Sequence, residues 1–303
     1  MEFHHLSVML NECMEALDIR AGGDYLDCTL GGGGHSAEIL KRLAGGTLTG
    51  IDRDADAVAA ASARISDSRF RAVRGNFHDA RLLTDGMAFD GILIDLGVSS
   101  HQLDVRARGF SYHDDAPLDM RMDAAAPLTA ADIVNGRSAD ELTRIFRDYG
   151  EEKWARQIAR VICDRRPIAT TSQLVSAIDA AIPRKFREKD GAHPARRTFQ
   201  ALRIAVNDEL DPLEGSLEML VGLLKPGGRL CVLTFHSLED RIVKNTFRRL
   251  ANPCTCPPDI PVCVCGKIAS VRLVTRKPVT ASEAELTENP RARSANLRAV
   301  EKL

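Results

Sequence analysis

Tyr25-Leu26-Asp27-Cys28-Thr29-Leu30-Gly31-Gly32-Gly33-Gly34-His35-Ser36 is a short apolar run that ends in four consecutive glycines and opens onto a helix-compatible segment. It reads as strand, tight turn and helix start. Glycine at such a turn admits positive φ and lets a ligand approach the main chain closely, while the helix N-terminus that follows presents N–H groups without intrahelical partners. Taken alone, four glycines fit a flexible loop equally well. The sequence on either side favours the ligand-binding reading.

Upstream, Val8 to Leu17 predicts a helix capped by Ser7, with Met9, Cys13 and Leu17 recurring on one face. Downstream come a helix through Ile39, Leu40 and Leu43 and a second strand, Thr47 to Ile51, that ends in Asp52. An acidic residue about 20 positions after the glycines, at the tip of a second strand, accepts hydrogen bonds from ribose hydroxyls in doubly wound α/β folds. The alternation continues through an alanine-rich helix (Ala55 to Ile65), a third strand (Phe70 to Arg74), a short helix after Asn76-Phe77-His78-Asp79, and a fourth strand, Phe89 to Ile94, followed by Asp95. Ligands in such sheets bind outside the carboxyl ends of the strands, so Gly31 to His35, Asp52, Phe77 and Asp95 are expected to converge.

Residues 96–104 read as loop, and no strand signal returns for over a hundred residues. Ser138-Ala139-Asp140-Glu141 has capping-box spacing, and apolar stripes follow at Leu142, Ile145, Phe146 and Tyr149, at Trp154, Ile158 and Ile162, and at Leu174, Ile178 and Ile182. The α/β pattern resumes with a helix from about Asp208 to Leu224, a Lys225-Pro226-Gly227-Gly228 turn, an apolar strand Arg229 to Phe235, a helix Leu238 to Leu250 and a late strand Val271 to Val274. The tail beyond Pro290 is basic and is expected to be partly mobile. The expected architecture is therefore an α/β, doubly wound, mostly parallel sheet in a domain of residues 1–103 and 199–303, with an all-helical subdomain, 104–198, inserted between the halves.

With 303 residues, 44% of them hydrophobic, the chain can bury a sizeable core. It has no apolar run of bilayer-spanning length, and Met1 to His5 lacks the basic-then-apolar layout of a signal peptide, which predicts a cytoplasmic protein with no membrane partner. A net charge of −1 argues against a global polycation, but the charge is uneven. From Ser111 to Glu152 ten side chains are acidic and four basic, whereas from Arg184 to Arg203 seven are basic and two acidic. The basic end, Arg184-Lys185-Phe186-Arg187-Glu188-Lys189 with Arg196-Arg197, is the part suited to a polyanion.

A glycine turn with a second-strand acid fits both nicotinamide dehydrogenases and methyltransferases that use S-adenosylmethionine. Asp27, just before the turn, favours the latter, because a carboxylate there can receive the cationic amino-acid end of the cofactor. Asp27-x-Thr29-x-Gly31-x-Gly33-Gly34-His35-Ser36, Asp95-Leu96-Gly97-Val98-Ser99-Ser100-x-Gln102-Leu103-Asp104, Gly109-Phe110-Ser111, Pro117-Leu118-Asp119-Met120-Arg121-Met122, the run from Phe199 to Leu210, and Phe235-His236-Ser237-Leu238-Glu239-Asp240-Arg241 together resemble the bacterial ribosomal RNA small subunit methyltransferase H family, also called MraW. The resemblance covers nearly the whole chain. Its departures are Ser7, where the family often has proline, and Gly32, where a larger residue is common.

The resemblance implies a Rossmann-like class I methyltransferase fold. The implied reaction is methyl transfer from S-adenosyl-L-methionine to N4 of one cytidine in the decoding region of small ribosomal subunit rRNA. It also implies that Gly33, Gly34 and His35 bind the cofactor from the first turn, that Asp52 takes the ribose and Phe77 the adenine surroundings, and that Asp95 and Gln102 meet its remaining polar groups. A side chain at Gly33 is accordingly expected to block cofactor more than it harms folding. The exocyclic amine is a poor nucleophile, so the site must align it with the methyl group and offer an acceptor for its protons. Asp95, Asp119 and His236 are the candidate catalytic residues, with Asp123 a further acceptor; for Asp119 the alternative is a salt bridge to Arg121. The rivals are a dehydrogenase and a non-enzymatic RNA-binding module, and neither accounts for Asp27, Asp52 and Asp95 at successive strand tips. Whether the chain acts alone or as a homodimer stays open.

Cys254, Cys256, Cys263 and Cys265 form two C-x-C pairs within twelve residues. Four thiolates so close could complete a tetrahedral zinc site, although C-x-x-C is the more usual spacing. Reduced thiols in a proline-stiffened loop, with no metal, are the reading adopted for the site, and disulfides are the third alternative.

Overall fold

In a computed structural model, residues 7–187, 193–257, 262 and 264–303 are described. Met1 to His5, Glu188, Lys189 and Cys263, which entered the sequence reading, lie outside them. The chain forms two compact units, one of residues 1–97 and 210–303 and the other of residues 98–209. The helical unit thus takes in residues 98–103 and 199–209 as well as the expected insertion. Among the described residues no helix is long and apolar enough to cross a membrane.

The first half of the larger unit runs α1 (Leu10–Leu17), β1 (Tyr25–Asp27), α2 (Gly34–Arg42), β2 (Leu48–Asp52), α3 (Ala55–Arg64), β3 (Phe70–Arg74), α4 (Ala80–Leu83) and β4 (Phe89–Asp95). The helical unit holds α5 (Ser100–Asp104), α6 (Ala130–Gly136), α7 (Ala139–Gly150), α8 (Ala155–Asp164), α9 (Thr171–Ala181), α10 (Arg184–Arg187) and α11 (Arg196–Asn207). The larger unit resumes with α12 (Leu213–Leu223), β5 (Leu224–Thr234), α13 (Ser237–Ala251), β6 (Val271–Leu273), β7 (Val279–Thr280), α14 (Glu283–Glu288) and β8 (Asn296–Lys302).

Its sheet has the order β3-β2-β1-β4-β5-β8-β6, with β7 paired to β8. The first five of these strands are parallel, and β8 runs antiparallel to both β5 and β6. This is a Rossmann-like doubly wound sheet whose strand order reverses between β1 and β4, which places a crevice outside the tips of those two strands. Leu26, Leu48, Ile51, Ile92, Leu93, Val232 and Leu233 are wholly buried, as expected of parallel strands covered on both faces.

Three local expectations fail. The tail is not loose: β8 lies inside the sheet, with Leu297, Ala299 and Val300 fully buried. Arg298 disguises it, because a buried arginine makes Asn-Leu-Arg-Ala-Val-Glu-Lys read as surface; its guanidinium holds Asp240 at 2.7 and 2.9 Å. The Lys225-Pro226-Gly227-Gly228 segment is not a turn before the strand but part of β5, absorbed where the register with β4 shifts between Phe89 and Gly91; a proline is tolerated where the ladder is interrupted. Ser7 does not cap α1: the helix starts at Leu10, after Met9 takes a left-handed φ of 50°, and the Met9 N–H donates to Glu285 Oε1 at 2.5 Å.

In the helical unit the capping box at Ser138 and Glu141 forms, and Leu142, Phe146, Ile158, Ile162, Leu174 and Ile178 pack in one core. Residues 96–104 are not all loop, because Ser99 and Gln102 build a second capping box that starts α5. The segment ending at Met122 is strapped to α11 by Asn207, whose side chain donates to the Met120 carbonyl and accepts from the Met122 N–H, at 2.8 and 2.7 Å. Two of the motifs that carried the family resemblance are thus brought side by side.

Candidate functional site

The glycine turn is built by hydrogen bonds from neighbouring strand tips. Asp52 Oδ2 accepts from the Gly31 N–H at 2.8 Å and Oδ1 from the Asp54 N–H at 2.9 Å, so the end of β2 holds the turn in place. Leu30 N–H donates to the Ile51 carbonyl, and Gly33 N–H to the Leu30 carbonyl. On the other side, the Asp95 N–H donates to the Thr29 hydroxyl at 2.6 Å, which ties the tip of β4 to the turn. β1, β2 and β4 therefore meet in one polar knot at their carboxyl ends.

Asp27 lies beneath it. Only 1% exposed, it accepts from the Ser36 hydroxyl at 2.7 Å and from the Thr29 N–H at 3.1 Å. Burial pushes its carboxyl above the usual range, against the pull of His35, Ser36 and Thr29. Its oxygens brace the turn and the first turn of α2, whereas the sequence offered them to the cationic end of a cofactor.

Gly33 also meets a packing demand. It sits at φ 73°, and a Cβ there would lie 3.0 Å from Ile65 Cδ1 and 3.2 Å from Ala61 Cβ, pointing into the packing of α3. Its missing side chain makes room for protein. Gly32, by contrast, has nothing within 4 Å of where a Cβ would stand. No side chain caps α2, whose N-terminus follows Gly33.

His35 and Asp95 face each other across this floor. His35, 6% exposed, sets Nε2 at 3.1 Å from the Val8 carbonyl and Nδ1 at 3.8 Å from Asp95 Oδ2. Asp95 Oδ1 is sealed from solvent and has no hydrogen-bond partner among the described residues. Burial pushes the Asp95 carboxyl up to about 6; His35 opposes the shift, and the nearby charges of Asp27 and Glu239 add to it. Burial likewise raises Asp52.

His236 follows the tip of β5, whose Leu233 pairs with Asp95 in register, so the two candidates stand at adjacent strand ends. It starts α13 as one half of a capping box with Glu239: the His236 Nδ1 accepts from the Glu239 N–H at 3.4 Å, and Glu239 Oε2 accepts from the Phe235 and His236 N–H groups. His236 Nε2 lies 3.0 Å from Glu239 Oε1 without the alignment of a hydrogen bond. Phe77 is 7% exposed just past the end of β3, in ring contact with His78 at 4.3 Å.

The remaining two candidates belong to the helical unit. Gln102 is 4% exposed, with Oε1 accepting from the Ser99 N–H at 3.0 Å. Asp119 forms the salt bridge with Arg121 that was the alternative to a catalytic role, at 2.8 and 2.7 Å through both oxygens. Burial alone would raise its pKa, but the bonds and charge of Arg121 outweigh burial and leave it lowered, so Asp119 is a weak base. Thr29, Ser36 and Glu239 are members of the site that the sequence did not single out; strand pairing sets the Thr29 contact with Asp95, whereas Ser36 bonds to Asp27 across the glycine turn and Glu239 bonds within its own turn, and the capping-box spacing from His236 to Glu239 is a local signal that could have found the last.

The model of the MraW methylase family matches residues 2–303. A relative from Symbiobacterium thermophilum, named ribosomal RNA small subunit methyltransferase H, is 59% identical over all of this chain and 98% of its own length. Proteins of the same name from Clostridioides difficile and Pelobacter propionicus are 51% and 54% identical, the first over the full length of both chains and the second over 99% of each.

Proposed function

The chain belongs to the MraW methylase family, and on that premise we propose that it transfers a methyl group from S-adenosylmethionine to the N4 exocyclic amine of a cytidine in the decoding region of small-subunit ribosomal RNA. The observation that carries the chemistry is Asp95 Oδ1, a buried carboxylate oxygen without a hydrogen-bond partner among the described residues, beside a helix N-terminus without a side-chain cap and an open glycine turn. A polar atom left unpaired where water is excluded is costly, and it persists where a ligand completes it.

The residues fit the cofactor. Asp52 keeps a lone pair on each oxygen for ribose hydroxyls, the N–H groups at the start of α2 are suited to a carboxylate, and Phe77 offers an aromatic edge for a purine. When bound, the cofactor supplies an electrophilic methyl group on a sulfonium sulfur. The chain's own contribution is positioning and proton handling. Asp95 Oδ1 would accept an N–H of the incoming amine, turning its lone pair toward the methyl group, and would withdraw the proton as the C–N bond forms and the methyl–sulfur bond breaks, with a neutral thioether as the leaving group. His35 acts on Asp95 through its charge, with Nδ1 3.8 Å from Oδ2. His236 stays with the site at the strand end beside Asp95, Gln102 keeps the cofactor role that the family resemblance implies, and Asp119 is a positioning residue that orders the strap through Arg121.

The exposed Arg184, Lys185, Arg196 and Arg197 of the helical unit suit the phosphates of rRNA, which supports reading the inserted subdomain, residues 104–198, as the substrate-recognition part. A ribosomal RNA substrate supports a cytoplasmic location. The direct test is incubation of purified protein with small ribosomal subunits and methyl-labelled cofactor, followed by mass spectrometry of the nucleosides. Label in N4-methylcytidine at one decoding-region position supports the reading, and label on another atom or base, or none on the subunit, overturns it.

A further inference from the structure

Cys254, Cys256 and Cys265, on the connection between α13 and β6, take no part in the site above, yet their sulfurs lie within 4.8 Å of one another. The Cys254 and Cys265 sulfurs are 3.8 Å apart, and none of the three residues is in a disulfide. A disulfide needs a separation of about 2 Å, whereas four sulfurs held at about 2.3 Å around one ion stand roughly 3.8 Å from each other along the edges of a tetrahedron. The Val264 N–H donates to Cys256 Sγ at 3.3 Å, which fixes the direction of that sulfur.

None of the described residues from Asn252 to Ser270 is buried, and Val262, Val264 and Ile268 are 70%, 75% and 88% exposed. The ends of the connection are joined by the Ser270 N–H bonded to the Leu250 carbonyl at 3.1 Å. Between those ends no apolar core is formed by the described residues, and a segment without a core is ordinarily held by a cross-link or a metal.

The geometry points to a structural zinc site in which the thiolates of Cys254, Cys256 and Cys265 take three of the four positions around the ion. Three charged sulfurs suit a borderline-soft divalent cation and exclude magnesium or calcium, which require oxygen donors. Cys263 is outside the described residues and is not assigned to the site. The ion orders the loop and is remote in role from methyl transfer.

The test uses the full chain, expressed with zinc in the medium and purified under reductant without chelator. Elemental analysis is expected to give one zinc per chain in the wild type and in Cys163→Ser, and less than about a tenth of that in the triple variant Cys254→Ser, Cys256→Ser, Cys265→Ser. Cobalt(II) added to the metal-free wild type is expected to give the sulfur-to-metal charge-transfer band and strong visible absorption of a tetrahedral thiolate site, and zinc is expected to slow proteolytic cleavage of the loop. A wild type that binds neither ion, or a triple variant that retains zinc in full, overturns the proposal. The cobalt spectrum is read on unmutated protein, so it decides the matter even where the triple variant folds poorly.

Discussion

His35 Nδ1 stands 3.8 Å from Asp95 Oδ2, while Nε2 of the same ring is 3.1 Å from the carbonyl of Val8. A carbonyl only accepts, so Nε2 carries a hydrogen and the ring faces Asp95 either with a bare nitrogen or, when protonated, with a second N–H. Asp95 titrates near 6 because burial disfavours its charged form, with His35 opposing and Asp27 and Glu239 reinforcing the shift.

The base must be ionised to accept the amine proton. Methyl transfer in single-turnover assays is therefore expected to fall as pH drops through about 6, and Asp95→Asn is expected to lower it roughly 100-fold or more while removing that limb of the profile. The stability change has the opposite sign. Because the folded pKa is raised, ionised Asp95 costs stability above pH 6 and nothing below the ordinary carboxylate range, so Asp95→Asn should be at least as stable as wild type at pH 8, with the difference vanishing near pH 4. An Asp95→Asn variant that keeps the wild-type rate and profile would remove this residue as the base.

The two central glycines of the turn are expected to respond differently to alanine. Gly33→Ala combines a left-handed φ with a Cβ 3.0 Å from Ile65, and is expected to cost about 2 kcal/mol or more in urea unfolding. Gly32→Ala points into open space and should change the unfolding midpoint and cofactor affinity little. Equal losses at both positions would mean that flexibility, and not packing against α3, is what the glycines supply.

The sheet was legible because parallel strands buried on both faces are apolar runs, and because Asp52 and Asp95 end two of them. The strap and the tail were not. Asn207 reaches Met120 across 87 positions, and Arg298 reads as surface until Asp240, 58 positions away, is seen to neutralise it. The strand-tip positions of Asp52 and Asp95 were legible, and the salt bridge of Asp119 with Arg121 was one of two readings, whereas contacts that depend on distant packing were not: Gly33 against Ala61 and Ile65, Asp27 with Ser36.

Asp119 offers both oxygens to Arg121, whose Nη1 also donates to the Ala126 carbonyl at 2.7 Å, so the pair fixes the course of residues 119–126. Asp119→Ala and Arg121→Ala are accordingly expected to lower methyl transfer on small subunits to a similar extent, with the pH limb near 6 intact and cofactor affinity nearly unchanged. A loss of the pH limb in Asp119→Ala would instead make Asp119 the proton acceptor.

Arg298 on β8 is 7% exposed and holds both oxygens of Asp240 on α13. Removing only the carboxylate leaves a guanidinium buried without its counter-charge, which is far more costly than losing the pair together. Asp240→Ala is expected to destabilise the protein by about 2 to 3 kcal/mol and to raise hydrogen exchange along β8, because the pair fastens that strand to the helix beside it. The double variant Asp240→Leu, Arg298→Met should recover most of the loss, since the apolar pair needs no compensation in the same buried place. Additive losses in the double variant would show that the two residues stabilise the tail separately, and that β8 owes its place in the sheet to its apolar residues alone.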